Sequence, residues 1–447
     1  MTEKQKKSIR SRSETPPAYF LSLEVENVLC FKERRKLNLC DINGNPAQWT
    51  VILGNNGVGK TTLLRCINRM ELISYENMNH VYPFRLSVRQ DDETLQQLKV
   101  LQSNQAKIVA EILSGDTLSG IKSSHSKKVN KHSFQSLVGY ALEGQGAELR
   151  GLICYGYGAT RRMGEPSLSY SDHSVSLFSD NGTLINAEEW LMKTDYAVKS
   201  ATGKTKGRLK KQFNHIVEIL KKVLPDVENI RINLGKNLDR PAAEFLTPFG
   251  WVGLSGLGLG YRTTIAWIVD LSVRLFKRYP DSEDPLAEPA IVLVDEIDLH
   301  MHPTWQRKIM EFLTERFPNT QFIVTAHSPL VVQAAQDANI VVLRREGDHV
   351  VIDNDPEIIE NWRVDQVLTS VFEMPSARPA KIEPWLKRRQ EILTKAKITQ
   401  SERAELKELE AKIGTLPTAE TSEDIRAMDI LRRAAKLLDK SGTGAVE

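Results

Sequence analysis

Cysteine is scarce: Cys30, Cys40, Cys66 and Cys154 are the only four in 447 residues, and no two form a CxxC pair. That excludes a disulfide scaffold, and few scattered thiols in a large chain imply a reducing, cytoplasmic setting. No apolar run reaches the ~18 residues of a membrane span, so no contact with a membrane is expected. Residues 1–18 are basic and polar with no apolar stretch behind them. They are expected to be a disordered basic tail, not a secretory signal. No internal repeat is detectable at a period of roughly 20–50 residues. The net charge is only +3, too small to argue for nucleic acid, because binding follows local patches and not totals. What is present is ordinary: 41% hydrophobic and 26% charged residues, the balance of a soluble globular protein with ample core material.

Short β-rich apolar runs punctuate the chain. Residues 19–29 alternate as a strand does, and 34–40 suggest a second strand. Residues 49–53, 151–155, 290–294 and 321–325 read as buried strands, and 339–344 with 350–352 as a closing hairpin. Helices are expected near 61–69, 207–223, 261–278 and 304–317, with polar helical stretches in 70–150. The composition shifts after about residue 380. Two helices, 382–397 and 402–412, form a hairpin, and 422–438 is a third; Thr399-Gln-Ser-Glu402 has capping-box spacing for the second.

Gly54-Asn55-Asn56-Gly57-Val58-Gly59-Lys60-Thr61 matches GxxxxGK[ST] without a mismatch. A triphosphate needs several N–H donors converging on one phosphate, and glycines let the backbone wrap that closely. The following helix, which opens with Thr61 and Thr62, presents its N-terminus to the anion. Lys60 would reach the β- and γ-phosphates, and Thr61 would give a hydroxyl to Mg²⁺. A chance match is expected in only about one or two per cent of chains this long, and this one lies between an apolar strand and a helix.

The strand at 290–294 runs into Asp295-Glu296. A carboxylate at the end of a strand beside the phosphate loop can hold Mg²⁺, which points to Asp295; Glu296 can polarise the attacking water. His300 and His302 lack a third metal partner and belong to the loop that follows. The next strand ends at Ala326-His327-Ser328-Pro329, which places His327 to reach the γ-phosphate. Arg161 and Arg162 leave the strand at 151–155 and are either surface charge or a nucleotide or partner contact.

In these motifs the chain resembles the ABC-type ATPase superfamily, nearest the RecF/SMC/OLD-like heads, over about residues 19–350. The carriers are Glu24–Phe31, the segment Asp295-Glu-Ile-Asp-Leu-His-Met-His-Pro303, and Thr325-Ala-His-Ser-Pro329. The resemblance implies an α/β fold: a P-loop NTPase head with a mixed or parallel sheet flanked by helices, helical insertions and an all-helical C-terminal tail. It implies ATP and Mg²⁺ as ligands and association around composite ATP sites. Such heads carry an LSGGQ signature ahead of a helix to clamp the partner's γ-phosphate. Here two registers compete, Leu254–Gly258, which keeps Ser255, and Leu257–Arg262, which fits the downstream helix better. The second puts Gly258, Gly260 and Arg262 at the site, with Gly258 in place of the serine and so one γ-phosphate donor fewer. A Gly-rich turn before a core helix is the plain alternative.

The expected organisation is a tail at 1–18, the ATPase domain at 19–380 with insertions at about 70–150 and 165–245, and a helical interaction region at 381–447. Between Lys60 and Asp295, where SMC-type heads carry coiled coils, no sustained heptad run appears. Ile352-Asp-Asn-Asp355 offers a DxD but reads as a turn, and no HNH-like or zinc-finger constellation is present. Among family members the chain looks most like the ATPase subunit of Septu-type antiphage systems, also found with retrons. That resemblance implies a separate HNH nuclease partner. A RecF-like ATPase that binds DNA in repair is the other reading; the basic stretches 122–131 and 199–211 would then contact phosphates or, on the plainer view, are solvated surface.

Overall fold

The structure, a computed structural model, describes residues 18–26, 28–68, 73–74, 81–82, 107–114, 130–137, 140–141, 154–165, 175–224, 226–233, 241–335, 337–356, 363–372, 374, 380–395 and 398–413. The expected tail (apart from Ala18), the third C-terminal helix and residues 122–129 of the first basic stretch lie outside them. Residues up to Phe372 form one compact unit and those from Glu373 a second.

The first unit is organised by a six-stranded sheet. Its order is His349–Asp353, Asn339–Glu346, Trp49–Gly54, Thr320–Thr325, Ala290–Val294, Cys154–Tyr157. Only His349–Asp353 runs antiparallel to its neighbour; the other pairings are parallel. The central strands are buried from end to end, which is why they read as continuous apolar runs: both faces are covered. Alternate residues therefore supply two different cores. Val51, Leu53, Val292, Val294, Phe322 and Val324 face one, while Ile52, Ile291, Leu293 and Ile323 face the other.

The second core is closed by the helix Lys60–Asn68 and an antiparallel sheet. In that sheet Ala18–Glu26 lies between Arg35–Asn38 and Lys107–Ser114, which in turn pairs with Asn130–Leu137. The described residues of 107–137 are thus strands, where helical stretches were expected. Their state is set by pairing with a distant strand, a contact that local polarity does not reveal. A bulge interrupts the pairing between Phe20 and Ser22. There the buried Gln321 side chain accepts from the Phe20 N–H at 2.9 Å and donates to its carbonyl at 2.8 Å, joining the two sheets.

The first core is filled by the helix Leu259–Arg278. Residues Thr263–Val273 of this helix are buried on every side, as expected of a helix that is apolar nearly all round. The one charged residue of that stretch is Asp270, which is fully buried. It accepts from Tyr157 Oη at 3.0 Å, Arg274 Nε at 2.5 Å and the Ile185 N–H at 3.0 Å. The expected helix at 304–317 is broken: it divides into Pro303–Gln306 and Ile309–Arg316 around Arg307 and Lys308. The DxD closes the strand His349–Asp353 and bends away after it, with Asn354 bonded through its amide to the carbonyl of Lys36 and the N–H of Asn38.

In the second unit, Glu383–Leu393 and Gln400–Ile413 form a helical hairpin around Ile392, Leu406, Leu409 and Ile413. Arg388 grips Glu405 through two bonds, 2.8 and 3.0 Å. Thr399 and Glu402 make both bonds of a capping box, 2.9 and 3.3 Å; Lys395 first, then the Thr399 N–H and hydroxyl, pull the Glu402 carboxyl down to about 2.

Candidate functional site

The site lies where the parallel strands end. The strand Trp49–Gly54 releases the chain into the phosphate loop, in which Gly54, Gly57 and Gly59 all have positive φ. Gly59 combines φ +88° with crowding, since a Cβ there would lie 2.6 Å from Cys30 Sγ and 2.9 Å from the Phe31 ring. No other residue fits. Asn55, Asn56 and Gly57 are exposed, whereas Val58 is buried as the anchor of the loop. Thr62 is half-buried in the first turn of the helix. The Lys60 ammonium, also buried, donates to the carbonyls of Gly54 and Asn55 at 2.8 Å each. Burial lowers the Lys60 pKa, and the fields of Asp295, Glu296 and Asp298 oppose that shift.

Two strands away, the acidic turn meets this loop. Thr61 Oγ1 donates to Asp295 Oδ2 at 2.7 Å. Thr325 Oγ1 donates to Asp295 Oδ1 at 2.6 Å and accepts from the Glu296 N–H at 2.7 Å. Thr61, Asp295, Thr325 and Glu296 thus form one continuous chain of hydrogen bonds. Glu296 has φ +49° and His300 φ +64°, unusual for residues other than glycine. The turn is fastened from outside by Gln306, whose amide donates to the carbonyls of Asp298 and Met301 and accepts from Ser328 Oγ. His302 caps the helix that follows, its Nδ1 accepting from the Thr304 N–H at 3.3 Å. Among the described residues no group of His, Cys, Asp or Glu has a metal-binding arrangement.

His327 is half-buried, and its backbone N–H points to the Asp298 carboxylate at 3.2 and 3.3 Å. Burial first, then the Lys60 charge, lowers its pKa, while Asp298, Glu296 and Asp295 pull the other way. The ring is therefore neutral near pH 7. Phosphate loop, acidic pair and His327 are thus gathered in one chain.

The signature stretch is joined to this group differently. Leu254–Gly256 is a short 3₁₀ turn, Gly258 is the N-cap residue, and the helix begins at Leu259. Ser255, Gly258, Leu259 and Arg262 are exposed. Gly260 instead packs on the acidic turn: a Cβ there would lie 2.1 Å from the His300 carbonyl oxygen. Its glycine identity has a cause inside the chain, apart from any nucleotide.

The sequence did not reveal the part that three working residues play. Thr325 was the polar end of a β-branched run. Asp270 was visible only as the one acid within Ile265-Ala-Trp-Ile-Val-Asp-Leu271. Arg161 is neither surface charge nor aimed outward; it is 1% exposed, and its guanidinium lies on the carbonyls of Asp295 and Glu296. Arg162 is exposed.

A phosphate loop with an acidic pair and a histidine on successive parallel strands, an antiparallel sheet at the side and a glycine-capped helix before the acidic strand give this chain the sheet and site of a P-loop nucleotide-binding domain. Two family models match: "AAA domain, putative AbiEii toxin, Type IV TA system" over residues 177–333 and "AAA domain" over 22–135. The chain is similar to the Septu protein PtuA of Bacillus mycoides (strain KBAB4), 26% identical over 366 residues, 78% of this chain and 44% of that protein. It is similar to the retron Ec83 probable ATPase of Escherichia coli, 34% identical over 178 residues, 38% of this chain and 32% of that protein. The retron Vc95 probable ATPase of Vibrio cholerae serotype O1 biovar El Tor is 35% identical over 133 residues, 30% of this chain and 25% of that protein. The chain thus spans less than half the length of these curated relatives. Among solved structures, an Smc head bound to the C-winged helix domain of ScpA is 12% identical, covering 75% of this chain and 96% of that one, TM-score 0.39. The recombination mediator RecF is 13% identical, covering 76% and 100%, TM-score 0.37. No helix among the described residues is long and apolar enough to cross a membrane.

Proposed function

We propose that this chain is an ATPase of antiphage defence, acting in the cytoplasm, which binds ATP with Mg²⁺, hydrolyses it slowly, associates around ATP and controls a separate HNH-type nuclease. The observation that carries the reading is the hydrogen-bonded chain Thr61–Asp295–Thr325–Glu296. It sets a hydroxyl and a carboxylate together, the donor set that suits Mg²⁺, which prefers one or two carboxylates plus substrate phosphate and water. When bound, the ion would neutralise charge on the β- and γ-phosphates. The loop N–H groups and Lys60 would hold the phosphates. Glu296, one residue on, would take a proton from the attacking water, help worth ~10²–10⁴ in rate. His327 would contact the γ-phosphate and report its presence. Gly258, Gly260 and Arg262 would complete the site of a second copy. With no serine at 258 one donor is missing, a loss worth ~10²–10³ in rate, and hence the slow hydrolysis. The kinship to Septu and retron ATPases supports the defence setting.

The experiment is a sizing run of Glu296→Gln with and without ATP. ATP-dependent association is expected; an unchanged elution would sink it. Co-purification with the product of an adjacent HNH reading frame tests the partner.

One observation favours the repair reading. The second basic stretch is part of a helical arm, Ala187–Ser200 followed by Gly203–Val223. Lys204, Lys206, Arg208, Lys210 and Lys211 are exposed, and the first two lie in the opening turn, where positive charge opposes the helix dipole. A polyanion would offset that repulsion. Each phosphate contact should steepen the salt dependence of duplex binding by about 0.9 in log–log slope. No measurable affinity at low salt ends this reading.

A further inference from the structure

Arg161 has two features a packing residue does not need. It is 1% exposed yet carries a guanidinium, and its Nε has no partner among the described residues. Burial lowers its pKa to about 10 against the fields of Asp295, Asp298 and Glu296, so it stays charged at neutral pH. Burying a charge costs several kcal/mol, and an apolar side chain of like volume often serves stability as well or better. The charge has another use.

Its two terminal nitrogens each hold one backbone oxygen. Nη1 donates to the Asp295 carbonyl at 2.7 Å and Nη2 to the Glu296 carbonyl at 2.9 Å. These oxygens belong to the two peptide planes on either side of the Glu296 Cα. The nitrogens of the same planes are held by Thr325: the Glu296 N–H by its hydroxyl at 2.7 Å and the Ile297 N–H by its carbonyl at 3.0 Å. All four polar atoms of the two planes, whose rotation sets φ and ψ of Glu296, are bonded. A left-handed conformation costs roughly 1–2 kcal/mol for such a residue, and here it is held from both sides.

We propose that Arg161 is a positioning residue for ATP hydrolysis, locking the peptide planes around Glu296 so that its carboxylate is aimed at the attacking water. Arg161 contacts neither water nor phosphate in this role; it acts through Glu296. The proposal rests on the reading of Glu296 as the water-polarising group.

The test measures single-turnover hydrolysis and ATP affinity for the full chain and for Arg161→Met, Arg161→Lys, Arg161→Ala and Glu296→Gln. Misplacing a reacting group by ~1 Å costs ~10²-fold, so Arg161→Met should lose about that in rate while ATP affinity is unchanged. Arg161→Lys, with one donor head for two carbonyls, should fall between Arg161→Met and wild type. Added guanidinium should restore rate to Arg161→Ala and none to Glu296→Gln. Wild-type turnover by Arg161→Met, with Glu296→Gln inactive, overturns the positioning role alone. Wild-type turnover by Glu296→Gln overturns the parent reading as well. If Arg161→Met and Arg161→Lys both fail to fold, or affinity falls together with rate, Arg161 is a folding or binding residue and the proposal is wrong.

Discussion

Thr325 is the residue on which the acidic turn hangs. Its buried hydroxyl donates to Asp295 and accepts from the Glu296 N–H. Thr325→Val keeps the shape and the β-branching a strand favours but deletes both bonds. A bond to an ionised carboxylate is worth about 1.5–3 kcal/mol, and a buried N–H left unpaired costs about 1–3 kcal/mol. Allowing for partial relaxation, the loss should be about 2–4 kcal/mol. Thr325→Ser makes the opposite change: both bonds stay and one methyl goes, costing about 1 kcal/mol. Urea unfolding of the two variants beside the wild type measures the difference. Valine should be the more destabilised by ~1–3 kcal/mol on these terms, although it is the better strand former. Equal midpoints, or serine the weaker, would refute the view that the hydroxyl, and not packing, ties the turn to the strand. Hydrolysis gives an independent readout, since Thr325→Val also frees one side of Glu296 and should slow turnover where Thr325→Ser does not.

Gly260→Ala would raise stability by about 1 kcal/mol in an unhindered helix, but its Cβ would fall 2.1 Å from the His300 carbonyl oxygen. The expected result is a lower melting temperature; a rise would mean that the acidic turn yields freely. The lowered pKa of His327 means the folded chain resists protonation there. Below the ordinary histidine value of ~6.5 the unfolded chain binds more protons, so stability falls as pH drops from there towards the lowered folded value. His327→Gln should flatten that part of the profile, read as urea midpoint against pH, and parallel slopes would remove the histidine from the account.

The placement of the candidate site residues was legible because most of the signal is local. Gly54–Thr61, Asp295–Glu296 and His327 each sit at the end of an apolar strand, and strand ends of a parallel sheet gather at one edge. The residues that hold this chemistry in shape were not legible, because their partners are remote in sequence. Thr325 bonds to residues on the neighbouring strand end, and Gln321 to a strand at the start of the chain. Arg161 shows the limit most clearly. As one of a pair of arginines after a strand it reads as surface charge or as a nucleotide or partner contact, yet burial separates it from Arg162. Likewise, Lys107–Ser114 became strand through pairing with Ala18–Glu26, and Asn130–Leu137 through pairing with Lys107–Ser114, and the helix expected at 304–317 gave way to a break at Arg307 and Lys308.

The contact between Gly260 and the His300 carbonyl changes what a signature glycine can testify to. A motif is usually taken as a record of what a protein does to its ligand. Here one letter of the motif is demanded by the fit of two segments of the same molecule. A variant with no use for a nucleotide would still need that glycine merely to fold. The letter would outlive the activity, so for chains of this kind a surviving glycine at this position is weak testimony of function. Arg262 and Gly258, exposed and free of that demand, are the better witnesses.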